Sequence, residues 1–571
     1  MFNMRKKIIF AVLVVFFIVL VVGAASYKVW LPRLADIVYF KNANSQKDYS
    51  ENDRFRNQVI KFVRETAEKH FENKKARRPA DLEMEGNWEV SVTAYYQGEI
   101  KGYGDKIIGI LASALEEATK NALRDERAKN LDKKNIKEAR FLVKFLGPEN
   151  QLFSFIETIP GAEGKELIDD LLVIRNLDKE LIKEKIKQGK EYLLRMIDEN
   201  ENGAHKYYYA VNDSFENRLH TIYTSSLIYT LLKIHNFEKN DSLLEQIFKS
   251  AEFVFSMQNK EKGKKGYGAF YYSYFLDSKE KEKKFVVGTT AKTIFTLLEL
   301  YKLTGDSKYL ESAELGADWL ITMQKPDGSM KSYLRYSDDG KWVSNTKESL
   351  LYNGQVLSAF SRIYDATKKE EYYEAAKKIA ENFTQKIEKE GCYLGDDYRT
   401  KNPISSSWAV MSLLDFYKIS REQSYKDIIF KCSEEFLGRQ IINSDDILDN
   451  GRWQESYSTS GNGWISEVMG EVYKFCKEQG GNDCDKYKNA MIKAFRLLIQ
   501  NTYSEENTYF LKNPEMAKGG VFWNRDNRYI RTDSVCHGLN AYLGIIDDLE
   551  EGVVLSIPEK PIKEILEEFK K

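Results

Sequence analysis

The chain of 571 residues is 42% hydrophobic and 13% aromatic, apolar enough for more than one core, which excludes a disordered protein. Its 86 Lys and Arg against 87 Asp and Glu leave a net charge of -1, so no overall field recruits nucleic acid. Five cysteines without a CxxC pair exclude a finger-type zinc site and argue against a disulfide framework.

Ile8 to Tyr27 runs without a charge behind Arg5, Lys6 and Lys7, the roughly 20-residue length that crosses a bilayer core. Residues 1–30 are therefore expected to be a single-pass membrane anchor, and the basic flank predicts a body outside the cytoplasm. Residues 31–54 read as a linker, although the helical spacing of Phe55, Val59, Ile60 and Val63 predicts a helix over Asp48 to Lys75. Trp88 to Tyr96 alternates as a half-buried strand, and Gln97-Gly98-Glu99 turns it into Ile100 to Gly102. A helix is expected over Ile107 to Leu123, with Ile108, Leu111, Leu115, Ala118 and Ala122 on one face, followed by a strand at Phe141 to Phe145. Residues 55–178 thus read as a small α+β domain.

Val92-Thr93-Ala94-Tyr95, Gly98-Glu99-Ile100-Lys101-Gly102, the Leu115 to Ala122 helix, Asp125-Glu126-Arg127, Leu131 and Val143 to Leu146 carry a resemblance in this stretch. Together they resemble the AMMECR-like family, named after the AMME chromosomal region gene one product. Tyr103 stands where that family has a cysteine, so the resemblance implies a binding or structural module and no thiol chemistry.

Residues 179–550 carry paired helical patterns at a spacing of about 50 to 65 residues, the mark of hairpin arrays. First members near 183–198, 241–257, 307–324, 370–388, 424–441 and 484–501 have one apolar face. Second members near 219–235, 288–303, 349–365, 404–418, 463–477 and 532–546 are apolar nearly all round, as befits an inner ring. Short turns such as Thr304-Gly305-Asp306 join the pairs, whereas the loop inside each pair is long. The expected fold class is mainly α: a C-terminal (α/α)6 toroid of six helical hairpins, preceded by the α+β domain and an N-terminal transmembrane helix, with residues 551–571 as a tail.

Met323-Gln324-Lys325-Pro326-Asp327-Gly328-Ser329, echoed by Met257-Gln258-Asn259, follows outer helices. It resembles segments of N-acylglucosamine 2-epimerases, glucuronyl C-5 epimerases, six-hairpin glycosidases, polysaccharide lyases and terpene cyclases. The resemblance implies a toroid in which Gln-x-x-Asp-Gly closes the outer helix, and it leaves the substrate open.

In a closed ring the long loops and the inner-helix N-termini converge on one mouth, which is where chemistry is expected. Aromatic side chains there suit the apolar faces of sugar rings, and arginines beside helix N-termini suit an acidic sugar. The candidate catalytic residues are Glu455, Glu467, Asp533, Tyr457 and His537, because paired carboxylates, or a tyrosine with a carboxylate, serve acid and base steps. The candidate substrate-binding residues are Arg452, Trp453, Trp464, Trp523, Arg525, Tyr529, Tyr271, Tyr336 and Trp342. The lysine runs Lys260 to Lys265 and Lys279 to Lys284 read as solvated loops.

Asp445-Asp446-Ile447-Leu448-Asp449 matches the DDxxD of terpenoid synthases but falls in a loop where those enzymes have a helix. Cys536-His537-Gly538 resembles the zinc ligands of lanthionine synthetase cyclases, yet the third ligand they draw from a Trp-Cys pair is missing, since Ile465 follows Trp464. No metal and no cofactor are expected. Cys476 and Cys484 flank a glycine-rich turn, with a bridge and two free thiols both open. The leading expectation is a membrane-anchored protein binding a carbohydrate and acting as hydrolase, lyase or epimerase. The alternatives are a non-catalytic scaffold for carbohydrate or a protein partner, and, third, a zinc-dependent cyclase.

Overall fold

The computed structural model describes residues 41–42, 46–146, 152–158, 164–168, 170–442, 444, 446–453, 456–557, 559 and 562–568. The expected anchor, Ile8 to Tyr27, lies outside the described residues, and among those described no helix is long and apolar enough to cross a membrane.

The first domain comprises α1 (Gln46–His70), β1 (Glu85–Tyr96), β2 (Glu99–Ile110), α2 (Leu111–Arg124), β3 (Arg140–Leu146), β4 (Leu152–Glu157), β5 (Gly164–Ile168) and β6 (Leu171–Leu172). The strands form an antiparallel sheet in the order β2-β1-β3-β4-β5-β6. Alternation along the strands sends successive side chains to opposite faces. Phe141, Val143, Phe145 and Phe155 pack with Phe55, Val59 and Leu115 of the helices, while Leu142 and Ile156 join the core of the helical ring behind the sheet. The helix expected from Ile107 begins instead at Leu111, because Ile107, Ile108 and Ile110, β-branched residues suited to a pleated surface, extend β2 against β1. At the hairpin tip Gly98 has φ +75°, and a Cβ there would stand 2.4 Å from the Leu511 carbonyl oxygen, so the domain rests directly on the ring's last long loop.

Six outer helices, α3 (Lys179–Arg195), α5 (Ser242–Ser256), α7 (Ser307–Met323), α9 (Glu370–Glu390), α11 (Gln423–Leu437) and α13 (Asp485–Gln500), alternate along the chain with six inner ones. The inner helices are α4 (Thr221–Glu238), α6 (Val287–Thr304), α8 (Leu350–Thr367), α10 (Pro403–Ser420), α12 (Thr459–Glu478) and α15 (Thr532–Ile545). The short α14 (Pro514–Ala517) lies in the last long loop, and α16 (Ile562–Glu568) ends the described chain. Each inner helix packs on the next, and α15 packs back on α4, which closes the toroid. Buried hydroxyls let the inner helices approach: Ser225 Oγ and Thr293 Oγ1 lie 3.0 Å apart, and Thr296 Oγ1 donates to the Ser225 carbonyl at 2.8 Å.

The glutamine after an outer helix is a clamp. Gln258, Gln324 and Gln440 donate through Nε2 to Ser312, Ala375 and Ala490 carbonyls of the next outer helix at 2.9, 2.9 and 2.8 Å.

The chain ends are interlocked. Leu555–Ser556 pairs with Lys41–Asn42 on one side and Asn176–Leu177 on the other, and Arg496 donates to the Arg175 and Leu555 carbonyls at 3.1 and 2.9 Å. Beyond it, Ile562 and Leu566 of α16 are buried in the core of the first domain. Two disulfides, Cys392–Cys432 and Cys476–Cys484, are formed, and Cys536 is a buried free thiol. The first pair corrects the reading that cysteine number alone argues against bridging. Its members are 40 residues apart in sequence, yet adjacent outer elements bring their Cα atoms to 5.1 Å.

Candidate functional site

Inner-helix N-termini and long loops meet at one end of the ring, the mouth. A cavity of about 360 Å³ opens there, lined among others by Tyr223, Arg399, Trp523, Arg531, Asp533 and His537. A second cavity of about 510 Å³ opens at the other end of the ring, toward the inner-helix C-termini, and includes Tyr229, Lys233, Arg362, Asp415 and Glu467. Lys292, Trp408 and Trp464 line both, so these three side chains are the partition across the ring axis.

The partition is an aromatic stack with a cation against it. Trp408 and Trp464 stack with centroids 3.8 Å apart and planes at 15°. The Lys292 ammonium sits 5.5 and 5.8 Å from their centroids, a cation–π arrangement. His537 meets Trp464 edge-on at 5.3 Å, and its Nδ1 lies 2.9 Å from Glu467 Oε2. Lys233 approaches the other oxygen of Glu467 at 3.6 Å. Burial would raise the Glu467 carboxyl, but Lys233, the His537 hydrogen bond and Lys292 outweigh it and hold the group at about 2. An ionised Glu467 accepts a proton-bearing Nδ1, which leaves His537 Nε2 as the atom free to act in the mouth. Burial pulls the Lys292 ammonium down to about 8, against the pull of Glu467.

At the rim, Arg531 grips Asp533 through Nε, 2.5 Å from Oδ1, and through Nη2 to Oδ2, and Ser460 Oγ donates to Asp533 at 3.0 Å. Burial alone would raise Asp533, and the guanidinium reverses that to hold it below the ordinary range. Arg531 also covers the Trp523 ring at 4.3 Å.

Of the sequence candidates, Glu467, His537, Asp533, Trp464 and Trp523 come together on the axis or at the mouth. Glu455 lies outside the described residues. Trp453 is 1% exposed, with Nε1 donating to Ser466 Oγ at 3.2 Å, so it fills core and has no surface for a sugar. Tyr457 is 71% exposed under the Arg452 guanidinium at 4.5 Å, and Arg452 pairs with Asp449 at 3.1 Å. Arg525 pairs with Asp446 at 2.7 Å. Tyr529 stacks on Trp523 at 6.0 Å and meets Tyr207 at 5.4 Å. Tyr271 and Trp342 pack on Phe285 at 4.6 and 5.1 Å, and Tyr336 leans on Trp342 at 5.4 Å, a cluster that lines neither axial cavity.

The DDxxD residues Asp446 and Asp449 are thus spent on arginines, and Asp445 lies outside the described residues. Burial pushes the Cys536 thiol up to about 12, so beside His537 it is a neutral packing group. Among the described residues no group of three or more His, Cys, Asp or Glu side chains is placed to hold a metal ion.

Sequence reasoning missed Lys292, Lys233 and Trp408. The signal was present: a charged residue inside a helix that is apolar all round, as in Ala291-Lys292-Thr293-Ile294-Phe295, has only the ring axis to face.

Residues 257–427 match a family described as the ulvan lyase N-terminal domain. That stretch supplies Lys292, Arg399 and Trp408 of the mouth, while Glu467 and His537 lie beyond it. No curated protein is similar to the chain in sequence. Among solved structures, cellobiose 2-epimerase from Bacillus thermoamylovorans superposes with a TM-score of 0.50 at 13% identity, over 65% of this chain and 99% of that one. A D-mannose isomerase gives a TM-score of 0.50 at 13% identity, over 65% and 98% of the two chains. An inactive variant of an alpha-1,6-mannanase of Salegentibacter sp., in complex with alpha-1,6-mannotriose, gives 0.47 at 13% identity over 65% and 99%. At such identity the two superpositions at 0.50 show the toroid fold alone.

Proposed function

We propose that the mouth binds an acidic carbohydrate and acts on it by proton transfer through His537, as a lyase or epimerase. One observation carries the reading: a histidine at the floor, fixed by an ionised, buried Glu467, stands edge-on to Trp464, whose ring the Lys292 ammonium also approaches. The match to a polysaccharide lyase domain and the sugar epimerase and isomerase among structures of the same fold support it.

The chemistry follows from the charges. A C–H proton beside a sugar carboxylate becomes removable when cations offset the charge that the carboxylate gains as the proton leaves. Lys292 and Arg399 line the mouth for that role. His537 Nε2 takes the proton, and the electron pair passes into the carboxyl group. If the pair then forms a carbon–carbon double bond and expels the oxygen substituent on the next carbon, that oxygen takes up the proton from His537 Nε2 and the chain is cleaved. If water instead delivers a proton to the opposite face while His537 later loses its own to solvent, the sugar is epimerised. Glycoside hydrolysis fits less well, because it needs one carboxyl that still holds its proton near neutral pH. Among the described residues the candidate carboxyls, Glu467 and Asp533, are both held below their ordinary values by cations.

In this reading Glu467 is a positioning residue and His537 the catalytic one. The first domain, with its AMMECR-like resemblance, is a binding or structural module. The two disulfides favour an oxidising compartment, in keeping with an anchored body outside the cytoplasm. The test is binding to a panel of acidic and neutral polysaccharides that includes ulvan, followed by product analysis of wild type and His537→Ala. A new ultraviolet-absorbing unsaturated end or an inverted sugar centre is expected from wild type only. Binding confined to neutral glycans, or undiminished turnover by His537→Ala, would overturn it.

A further inference from the structure

The wall beside the mouth carries a charge arrangement that the fold itself leaves unbalanced. Lys284–Val286, Tyr333–Tyr336 and Trp342–Asn345 form a three-stranded antiparallel sheet in the long loops before α6 and α8. One face of it, with Phe285 and Leu334, is buried. On the other, Lys284 and Arg335 are register partners, two cations directly opposite one another. Like charges in that relation repel, a cost a folded sheet ordinarily avoids.

Among the described residues neither side chain has an ion pair or hydrogen bond. Lys284 instead covers the Tyr272 ring at 5.0 Å and the Tyr333 ring at 5.3 Å. Three acids of the surrounding loops are engaged elsewhere, since Glu282 accepts from Ser273 Oγ at 2.6 Å and Asp396 and Asp397 accept from the Leu350 and Glu348 backbone at 2.8 and 2.7 Å, while Asp338 and Asp339 stand exposed in the hairpin turn.

The wall runs into the mouth along two contact paths. Tyr272 meets His220 at 5.2 Å, and His220 meets Tyr223 of the mouth at 5.6 Å. On the other side, Asn345 donates to the Tyr333 hydroxyl at 2.8 Å and accepts from Tyr398 at 3.3 Å, and Tyr398 adjoins Arg399 of the mouth. Flat rings with a polar tip offer sugars a stacking surface, and the paired cations beside them offer anions a counter-charge.

We infer that this wall is a second, outlying subsite, and that the ligand is an acidic oligosaccharide running from His537 out across Tyr272 and Tyr333, with an anionic group of a distal sugar held between Lys284 and Arg335. The inference rests on the acidic-sugar reading of the mouth and adds chain length to it: a polymer is recognised over several rings.

The probes are galacturonate oligomers from monomer to hexamer, and carboxyl-reduced oligomers of the same lengths, titrated calorimetrically into the full chain. Wild type is expected to gain affinity with length for the acidic series alone. Lys284→Met with Arg335→Met should weaken the longer acidic oligomers about tenfold, the size of one lost charge-assisted contact, and leave the monomer and dimer unchanged. The exposed single variant Arg335→Glu serves where the double variant does not fold, and it should weaken long oligomers more than neutralisation does. Equal loss at every length, or no loss, would overturn the subsite while leaving the mouth reading intact. Failure of wild type to bind any acidic oligomer would overturn both.

Discussion

The two ends of the ring are built from the same inner helices and share Lys292, Trp408 and Trp464, yet they match their cations to different degrees. At the base, cations are matched: Arg362 with Asp415 at 2.9 Å, Lys233 with Glu467 at 3.6 Å and Lys302 with Glu299 at 3.1 Å. At the mouth Arg531 is matched with Asp533, but Lys292 and Arg399, and on the walls beside them Lys206, Lys284 and Arg335, have no ion pair among the described residues, and Lys292, Lys206 and Lys284 lie over aromatic rings. Pairing lowers the cost of burying charge and leaves one end near neutral. Unpaired cations beside rings make the other end attractive to an anion.

Four perturbations test that contrast. The largest effect belongs to the imidazole: His537→Ala should lower turnover about 10²- to 10⁴-fold, the usual worth of a positioned acid–base group, with oligomer affinity little changed. Steady-state kinetics beside calorimetry separates the two, and a loss of affinity that matches the loss of turnover would return His537 to mere packing. At the base, Arg362→Met should cost about 3 kcal/mol of stability in denaturant unfolding, because the buried Asp415 keeps only the more distant Lys418 at 3.8 Å, while mouth affinity holds.

Lys292→Met should weaken acidic ligands about tenfold and make the protein more stable at neutral pH, a pairing of signs that a purely structural lysine would not give. The sign follows from Lys292 standing at about 8 in the fold against an ordinary 10.5. Its charged form costs stability below pH 8, and that cost is relieved as pH rises from 8 to 10.5. Ligand affinity should fall over the same rise, and unchanged affinity across pH 8 would remove Lys292 from recognition. The last perturbation concerns Glu467, at about 2 against an ordinary 4.5. The stability it contributes is complete above pH 4.5 and is lost as pH falls toward 2. Glu467→Gln should flatten that acid limb, as measured by thermal unfolding between those values.

The hairpin array was legible because its signal is redundant. The pattern of one-faced and all-round apolar helices recurs six times, and errors at single ends do not disturb it: the first outer helix, expected near 183–198, runs Lys179–Arg195. Local breaks were less legible, as at Ile107 to Ile110, where helical spacing and strand propensity compete within four residues. The site was half legible. Glu467, His537 and Asp533 stand on inner helices that were recognised, and Asp533 has its partner Arg531 two residues away, but Glu467 pairs with His537 and Lys233 from other hairpins. Whether a carboxylate is an acid or a counter-ion depends on those partners. Lys284 shows the same limit: within a run of mixed charges it reads as solvated loop, whereas pairing opposite Arg335 in a sheet makes it a candidate contact.

The interlocked ends carry a consequence for how the molecule is made. Ile562 and Leu566 complete the core of the first domain, and Leu555–Ser556 is the central strand between segments near residues 41 and 176. During synthesis these stretches leave the ribosome after every hairpin of the ring. The α+β domain is therefore translated first and finished last, waiting with an open core while the toroid forms beside it.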